Sequence, residues 1–280
     1  MLFYILIIVS LLSGALICGG AGLFSTVHWL WVLPVSALAV LLLLAALIFL
    51  LLLIMARAVD QEQPQEADSP FYRFVIDLIV GAAIPVMGLR MEVSGLEKTP
   101  SSGHFLLVCN HLNEMDPVVL LRYFRKSQLA FISKEENRDM FLVGALMHKI
   151  QAQLIDRNND RKALRTILSC VELLRQDKAS VAVFPEGYIK PDKKLHHFRS
   201  GVFKIAQKAK VPVVVCTLRN TQYIFHNAKR LKKTPVALHL VDVVYPEQYA
   251  GMTTVELGNL IYEKMAQDLG PENVSADADQ

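Results

Sequence analysis

The sequence predicts an α/β fold, a mixed sheet flanked by helices, preceded by an N-terminal two-helix membrane anchor. Two observations lead there. Residues 1–56 contain no Lys, Arg, Asp or Glu, and Arg57 is the first charge. From Leu89 onward, short apolar runs alternate with amphipathic segments, as strands and helices do in α/β proteins. The chain therefore divides into 1–56, a membrane hairpin; 57–88, a linker and interfacial helix; and 89–280, the α/β domain.

In the hairpin, Leu2 to Cys18 is an apolar run of 17 residues, at the short end of what crosses a bilayer. After Gly19-Gly20-Ala21-Gly22 a longer run extends from Leu30 to Met55. As a helix it would be about 39 Å long at ~1.5 Å per residue. Helices satisfy their backbone in lipid, so the pair reads as a transmembrane or re-entrant hairpin. A cleaved signal peptide followed by one span is the alternative, but its charged n-region is missing. Arg57 and Arg73 flank the second helix while the turn has no cation, which predicts a cytoplasmic domain with Trp29 and Trp31 at the opposite interface. Cys18, Cys109, Cys170 and Cys216 are spread without metal-ligand spacing and read as reduced, buried small residues.

A polar linker over 58–70 leads to Phe71–Met87, an apolar helix carrying Arg73 and Asp77, read as lying in the interface or packed on the domain and ended by Pro85 and Gly88. Strands are expected at Met91–Ser94, Phe105–Cys109, Ala130–Ser133, Ala152–Ile155, Ser180–Phe184, Val211–Leu218 and Ala237–Val244. Ala163, Ile167, Val171 and Leu174 recur at helical spacing and form one apolar face. Charge is polarised: twelve Lys and Arg against Asp192 alone between Lys190 and Lys233, then seven acids against Lys264 from Glu247 onward. Beside an apolar anchor, this basic stretch points to anionic lipid or an anionic substrate; with no nucleic-acid motif, no nucleic-acid partner is expected.

The chemistry concentrates after the strand Phe105–Cys109, which delivers His111 into a loop ending at Asp116-Pro117. Asp116 reads as a helix N-cap with proline at the first helical position of Pro117–Lys126. Five apart on a helix, the two side chains would diverge by about 140°. A loop can bring them together, and an Asp on one ring nitrogen fixes the tautomer for base catalysis at the other. On spacing alone, a satisfied loop histidine and a plain cap fit equally well.

Further on, Ser180–Phe184 ends in Pro185-Glu186-Gly187-Tyr188, a carboxylate and a glycine where α/β proteins bind ligands. Ile155-Asp156-Arg157 places an Arg at another strand end. Arg199 precedes a helical stretch with Ser200 as its expected cap, a combination suited to anions. His111, Glu114 and Asp116 could instead be metal ligands, but a second histidine cluster is wanting: His196 and His197 are adjacent and point apart on regular structure.

Taken in order, these blocks resemble the lysophospholipid acyltransferase family, and within it the 1-acyl-glycerol-3-phosphate acyltransferases. The blocks are Asn110, His111 and Asp116; Ile155, Asp156 and Arg157; Phe184, Pro185, Glu186 and Gly187; and Val211, Pro212 and Val213. Ser133-Lys134-Glu135 and Phe198 to Gly201 also look like their counterparts, so the resemblance covers about 89–220. It departs at Tyr188, where the family usually has Thr or Ser, and at Val214-Val215, where a second proline often stands.

The resemblance implies acyl transfer from acyl-CoA or acyl carrier protein to the free hydroxyl of a lysophospholipid. His111 would be the base and Asp116 its orienting partner. Arg157 and Arg199 would hold the acceptor phosphate, and Glu186 and Gly187 the acceptor. Lys134 and backbone N–H groups of the 184–187 turn would meet the oxyanion. No cofactor or metal is implied beyond the thioester donor. A lipid-binding protein without catalysis is the reading from another class.

Overall fold

The computed structural model describes residues 2–63, 68–156 and 159–276. Its contacts divide the chain into two units, Met1–Glu62 and Gln63–Gln280.

In the first unit, α1 (Leu2–Gly20) packs on α2 (Trp29–Arg57). The buried residues of α1 are Ser10, Gly14 and Cys18, one helical turn apart. A Cβ at Gly14 would lie 3.0 Å from the Leu33 carbonyl oxygen and 3.2 Å from Ala37 Cβ. Small residues on both faces thus let the backbones approach, the usual device where lipid supplies no hydrophobic drive between helices. Most of the large apolar side chains point outward, Leu16, Leu42 and Phe49 among them. By length and composition both helices can cross a membrane.

The second unit opens with α3 (Pro70–Val86). Ser69 Oγ accepts the Tyr72 N–H at 3.5 Å, Pro70 takes the first position, and Gly88 follows the helix at φ +67°. Ile76 and Val80 pack against Ile150, Val118, Leu121 and Leu146. Arg73, paired with Asp68, also donates to the carbonyls of Leu129 and Ile150. Of the two expectations for this segment, packing on the domain is therefore seen on one face, while Phe71 and Phe74 stay exposed on another.

The seven strands are β1 (Leu89–Ser94), β2 (Leu106–Cys109), β3 (Ala130–Lys134), β4 (Gln153–Ile155), β5 (Val181–Val183), β6 (Val213–Arg219) and β7 (Thr234–Val244). All seven expected strands are present, with ends displaced by at most three residues. They form one sheet in the order β1-β7-β6-β2-β5-β3-β4. Every pairing is parallel except β6 with β7.

Alternation along the strands makes two apolar layers. Leu106, Val108, Val181, Val183, Val213 and Val215 face α6 (Asp160–Arg175) and α9 (Thr254–Leu269). Leu107, Cys109, Ala182, Val214, Cys216 and Leu218 face α4 (Asp116–Tyr123). Strand polarity sets where chemistry can sit. The parallel strands β2, β3, β4, β5 and β6 end along one edge, and because β7 reverses, β7 and β1 begin along that same edge. His111 leaves β2 there.

Candidate active site

Asn110 prolongs the β2–β6 ladder past the strand. Its Oδ1 accepts the Leu218 N–H at 2.8 Å and its Nδ2 donates to the Leu218 carbonyl at 3.0 Å. His111 is thus launched from a fixed backbone. Asn113 shapes the loop that follows: its Oδ1 accepts the Met115 N–H at 2.9 Å and its carbonyl the Asp116 N–H at 3.0 Å.

Asp116 is not the N-cap expected from the sequence. Met115 already has near-helical angles (φ −84°, ψ −8°), so Asp116 is the first residue of α4 and its carboxylate turns back over the loop. Oδ2 accepts three bonds, from His111 Nδ1 at 2.9 Å, the Leu112 N–H at 2.6 Å and the Asn113 N–H at 2.8 Å. The carboxylate is fully buried and the imidazole 17% exposed. A carboxylate only accepts, so Nδ1 carries a proton, and in the neutral ring Nε2 keeps its lone pair.

The imidazole lies flat on Phe184, with ring centroids 4.1 Å apart and 13° between planes. Phe184 in turn stacks with Phe131 at 6.0 Å. Apolar support under one face of the ring fixes its tilt, as the Asp116 bond fixes its rotation.

Glu186 holds the same loop from behind. Its Oε1 accepts the His111 N–H at 2.9 Å and its Oε2 the His196 N–H at 3.1 Å. Burial raises its pKa to about 7, against the lowering effect of those two N–H bonds. The resemblance implies that Glu186 holds the acceptor. At 2% exposure, with both oxygens bonded to backbone, it instead positions the His111 loop.

Gly187 turns the chain at φ +88°, where a Cβ would lie 3.0 Å from Arg199 Nε. Its N–H is bonded to the Phe184 carbonyl at 3.0 Å, so it is not the oxyanion donor expected of this turn. The Arg199 N–H bonds the Pro185 carbonyl at 2.9 Å, which seats the guanidinium against Gly187. His111 and Arg199 thus grip one turn, 184–187. Ser200 does not cap a helix: Arg199 precedes a 3-10 turn, Ser200–Phe203, and the α-helix behind it, α7 (Lys204–Ala209), has six residues. That removes the helix-end anion site and leaves the Arg199 charge alone.

Tyr188 stands on the rim. Lys190 donates to its hydroxyl at 2.8 Å and lowers its pKa. Lys134 is exposed at the end of β3, and no hydrogen bond or ion pair among the described residues ties it to the turn. Arg157 lies outside the described residues; its neighbour Asp156 pairs with Lys162 at 3.2 Å.

Two alternative chemistries can be weighed against this geometry. Cys109 is fully buried and its thiol is pushed well above its ordinary pKa by desolvation, so it does not offer a thiolate. Among the described residues, no group of three or more His, Cys, Asp or Glu is placed to hold a metal ion.

Known proteins resemble this chain in sequence and fold. Residues 90–219 match the profile of the Acyltransferase family. The chain is 31% identical over 162 residues to the "Probable 1-acyl-sn-glycerol-3-phosphate acyltransferase" of Mycoplasma pneumoniae, covering 56% of this chain and 60% of that protein. It is 27% identical over 192 residues to the 1-acyl-sn-glycerol-3-phosphate acyltransferase of Escherichia coli K12, covering 67% and 77%. The crystal structure of the 1-acyl-sn-glycerophosphate acyltransferase PlsC of Thermotoga maritima superposes with a TM-score of 0.60 at 24% identity, over 78% of this chain and 86% of that one, which shows a common fold. The chain thus spans less than two thirds of the Mycoplasma pneumoniae protein it matches, and its residues 90–219 are similar to the Acyltransferase family in sequence.

Proposed function

We propose that this protein transfers an acyl chain from a thioester, acyl-CoA or acyl carrier protein, to the free hydroxyl of a lysophospholipid. The acceptor of first choice is 1-acyl-glycerol-3-phosphate, giving phosphatidic acid. The observation that carries this reading is the His111–Asp116 pair at 2.9 Å on the sheet's catalytic edge, with Nε2 left as an acceptor. The relatives' names supply the substrate class.

In this mechanism His111 Nε2 takes the hydroxyl proton as the oxygen attacks the thioester carbonyl. Asp116 stabilises the imidazolium through Nδ1–H. The tetrahedral oxyanion collapses, the carbon–sulfur bond breaks, and the leaving thiolate takes the proton back from Nε2. The products are an ester and a free thiol, with no acyl-enzyme. Arg199 and Arg157 neutralise the acceptor phosphate, and Lys134 at the neighbouring strand end supports the oxyanion. The helices α1 and α2 hold the enzyme in the bilayer, where acceptor and product are both concentrated, with its domain on the cytoplasmic side.

The test is turnover. Purified protein is given acyl-CoA or acyl carrier protein with lysophosphatidic acid or other lysolipids, beside His111→Ala. Acyl transfer to lysophosphatidic acid that His111→Ala abolishes is expected. No transfer with either donor would sink the reading, and transfer only to another lysolipid would reassign the acceptor.

A further inference from the structure

The basic stretch of the second unit ends in a turn with an unusual apolar tip. Leu231 is 96% exposed and sits at φ +54°, a conformation that favours Gly or Asn over a branched side chain. The turn is rigid. Leu231 N–H bonds the Ala228 carbonyl at 3.0 Å, Lys232 N–H the Asn227 carbonyl at 2.9 Å, and Asn227 Nδ2 the Thr234 hydroxyl at 3.1 Å. Ile224, fully buried, roots the preceding helix α8 (Ile224–Ala228) in the core.

Around the tip are Lys229, Arg230, Lys232 and Lys233, all exposed and without an ion-pair partner among the described residues. Tyr223 and Phe225, 52% and 41% exposed, lie on the same segment. This is the composition of an interfacial anchor: an apolar side chain to enter lipid, aromatics for the headgroup level, and long cations for anionic phosphates.

Position adds to composition. The segment follows the end of β6 and leads into the start of β7, so it lies on the edge from which His111 emerges. The Gly88 carbonyl accepts the Thr234 N–H at 3.0 Å, which brings the exposed end of α3, Val86 included, to the same edge.

We propose that the 223–233 segment is a membrane-contact surface of the catalytic domain, with Leu231 inserted among the lipids of an anionic bilayer. The cations select the negatively charged leaflet. The contact would be made by the domain itself, in addition to α1 and α2, and would turn the catalytic edge toward the lipid substrates.

The test uses the full chain reconstituted in vesicles. Cys18, Cys109, Cys170 and Cys216 are all buried. A Leu231→Cys variant can therefore be labelled selectively with an environment-sensitive fluorophore, and Val255→Cys, exposed on α9, serves as control. In vesicles containing phosphatidylglycerol, nitroxide-labelled lipids are expected to quench the label at 231 and not at 255. Each of the four cations changed to Gln is expected to lower the docked-to-undocked ratio by about fivefold. A label at 231 that stays in water in anionic vesicles would overturn the proposal. So would one shielded only when an acidic acyl carrier protein is added, which would assign the surface to that partner. The readout needs no turnover, so its failure is separable from failure of the acyltransferase reading.

Discussion

Two histidine–aspartate pairs in this chain look alike and are built for different ends. His111 Nδ1 meets Asp116 Oδ2 at 2.9 Å, and His239 Nδ1 meets Asp268 Oδ1 at 2.6 Å. Their surroundings diverge. The Asp116 oxygen that holds His111 takes its other bonds from loop N–H groups, and a phenyl ring lies under the imidazole. Asp268 instead joins three elements, accepting from Thr217 Oγ1 at 2.6 Å and pairing with Arg219, while His239 stands within β7. One aspartate is dedicated to aiming a ring; the other is shared, and its histidine is one strut among several. A His–Asp distance is thus a weak mark of a catalytic base, and a dedicated carboxylate with an aimed ring a stronger one.

The largest expected effect separates the two pairs. In the proposed mechanism His111→Ala removes the base, and it is expected to lower kcat by about 10²–10⁴-fold with the fold intact. Asp116→Asn is a finer probe. All three donors converge on Oδ2, while Oδ1 has no hydrogen-bond partner among the described residues. An amide can turn its oxygen to the donors and its NH₂ to the Oδ1 side, so the loop survives without the charge. A loss of kcat comparable to that of His111→Ala, with thermal stability little changed, is expected. Full activity in either variant would break the dyad reading.

Glu186 gives the next effect, read through pH. Burial raises its pKa from 4.5 to about 7 in the folded state, so between those values the folded protein holds a proton that the unfolded chain has lost. Stability from this group therefore falls as pH rises from about 4.5 to 7, by on the order of 3 kcal/mol, and is level outside that window. Glu186→Gln cannot titrate. The stability advantage of the native chain over this variant is expected to shrink across that range in pH-dependent unfolding. An unchanged difference would mean that Glu186 is not buried as described.

Gly187→Ala is smaller still. Its φ of +88° and the 3.0 Å approach to Arg199 Nε predict a loss of about 1–3 kcal/mol. The guanidinium is the movable partner, so a raised KM for acceptor should accompany the fall in melting temperature. A neutral result would separate Arg199 from the turn.

Much of this site was legible in the chain because it rests on local order. Strand, loop and helix follow one another from Phe105 to Tyr123, and the apolar alternation is visible without coordinates. What stayed hidden depends on contacts between distant residues. Phe184 reads as the last core residue of a strand, yet it is the platform for a ring 73 positions away in sequence. Glu186 reads as a ligand because carboxylates at strand ends usually face solvent. Only the fold shows that the N–H groups of His111 and His196 converge on it. Asp116 stands one residue further into α4 than its cap-like sequence suggests, and that residue decides whether its carboxylate serves the helix or the histidine. At Arg199 and Ser200 the chain is likewise set by a distant partner, the Arg199 N–H on the Pro185 carbonyl, and a 3-10 turn stands where an α-helix start is expected.

The smallest expected effect is the sharpest check on the comparison between the pairs. His239→Ala leaves Asp268 bonded to Thr217 and Arg219, so no carboxylate is stranded. The histidine side chain is 35% exposed, and water screens its end of the pair, so its loss is expected to cost only about 1 kcal/mol. Unfolding should shift by a degree or so of melting temperature on the order of that energy, and kcat should change by less than about twofold. Should His239→Ala instead abolish turnover in a folded protein, context would not separate the two pairs. The α9 face of the sheet would then have to be considered as part of the catalytic machinery.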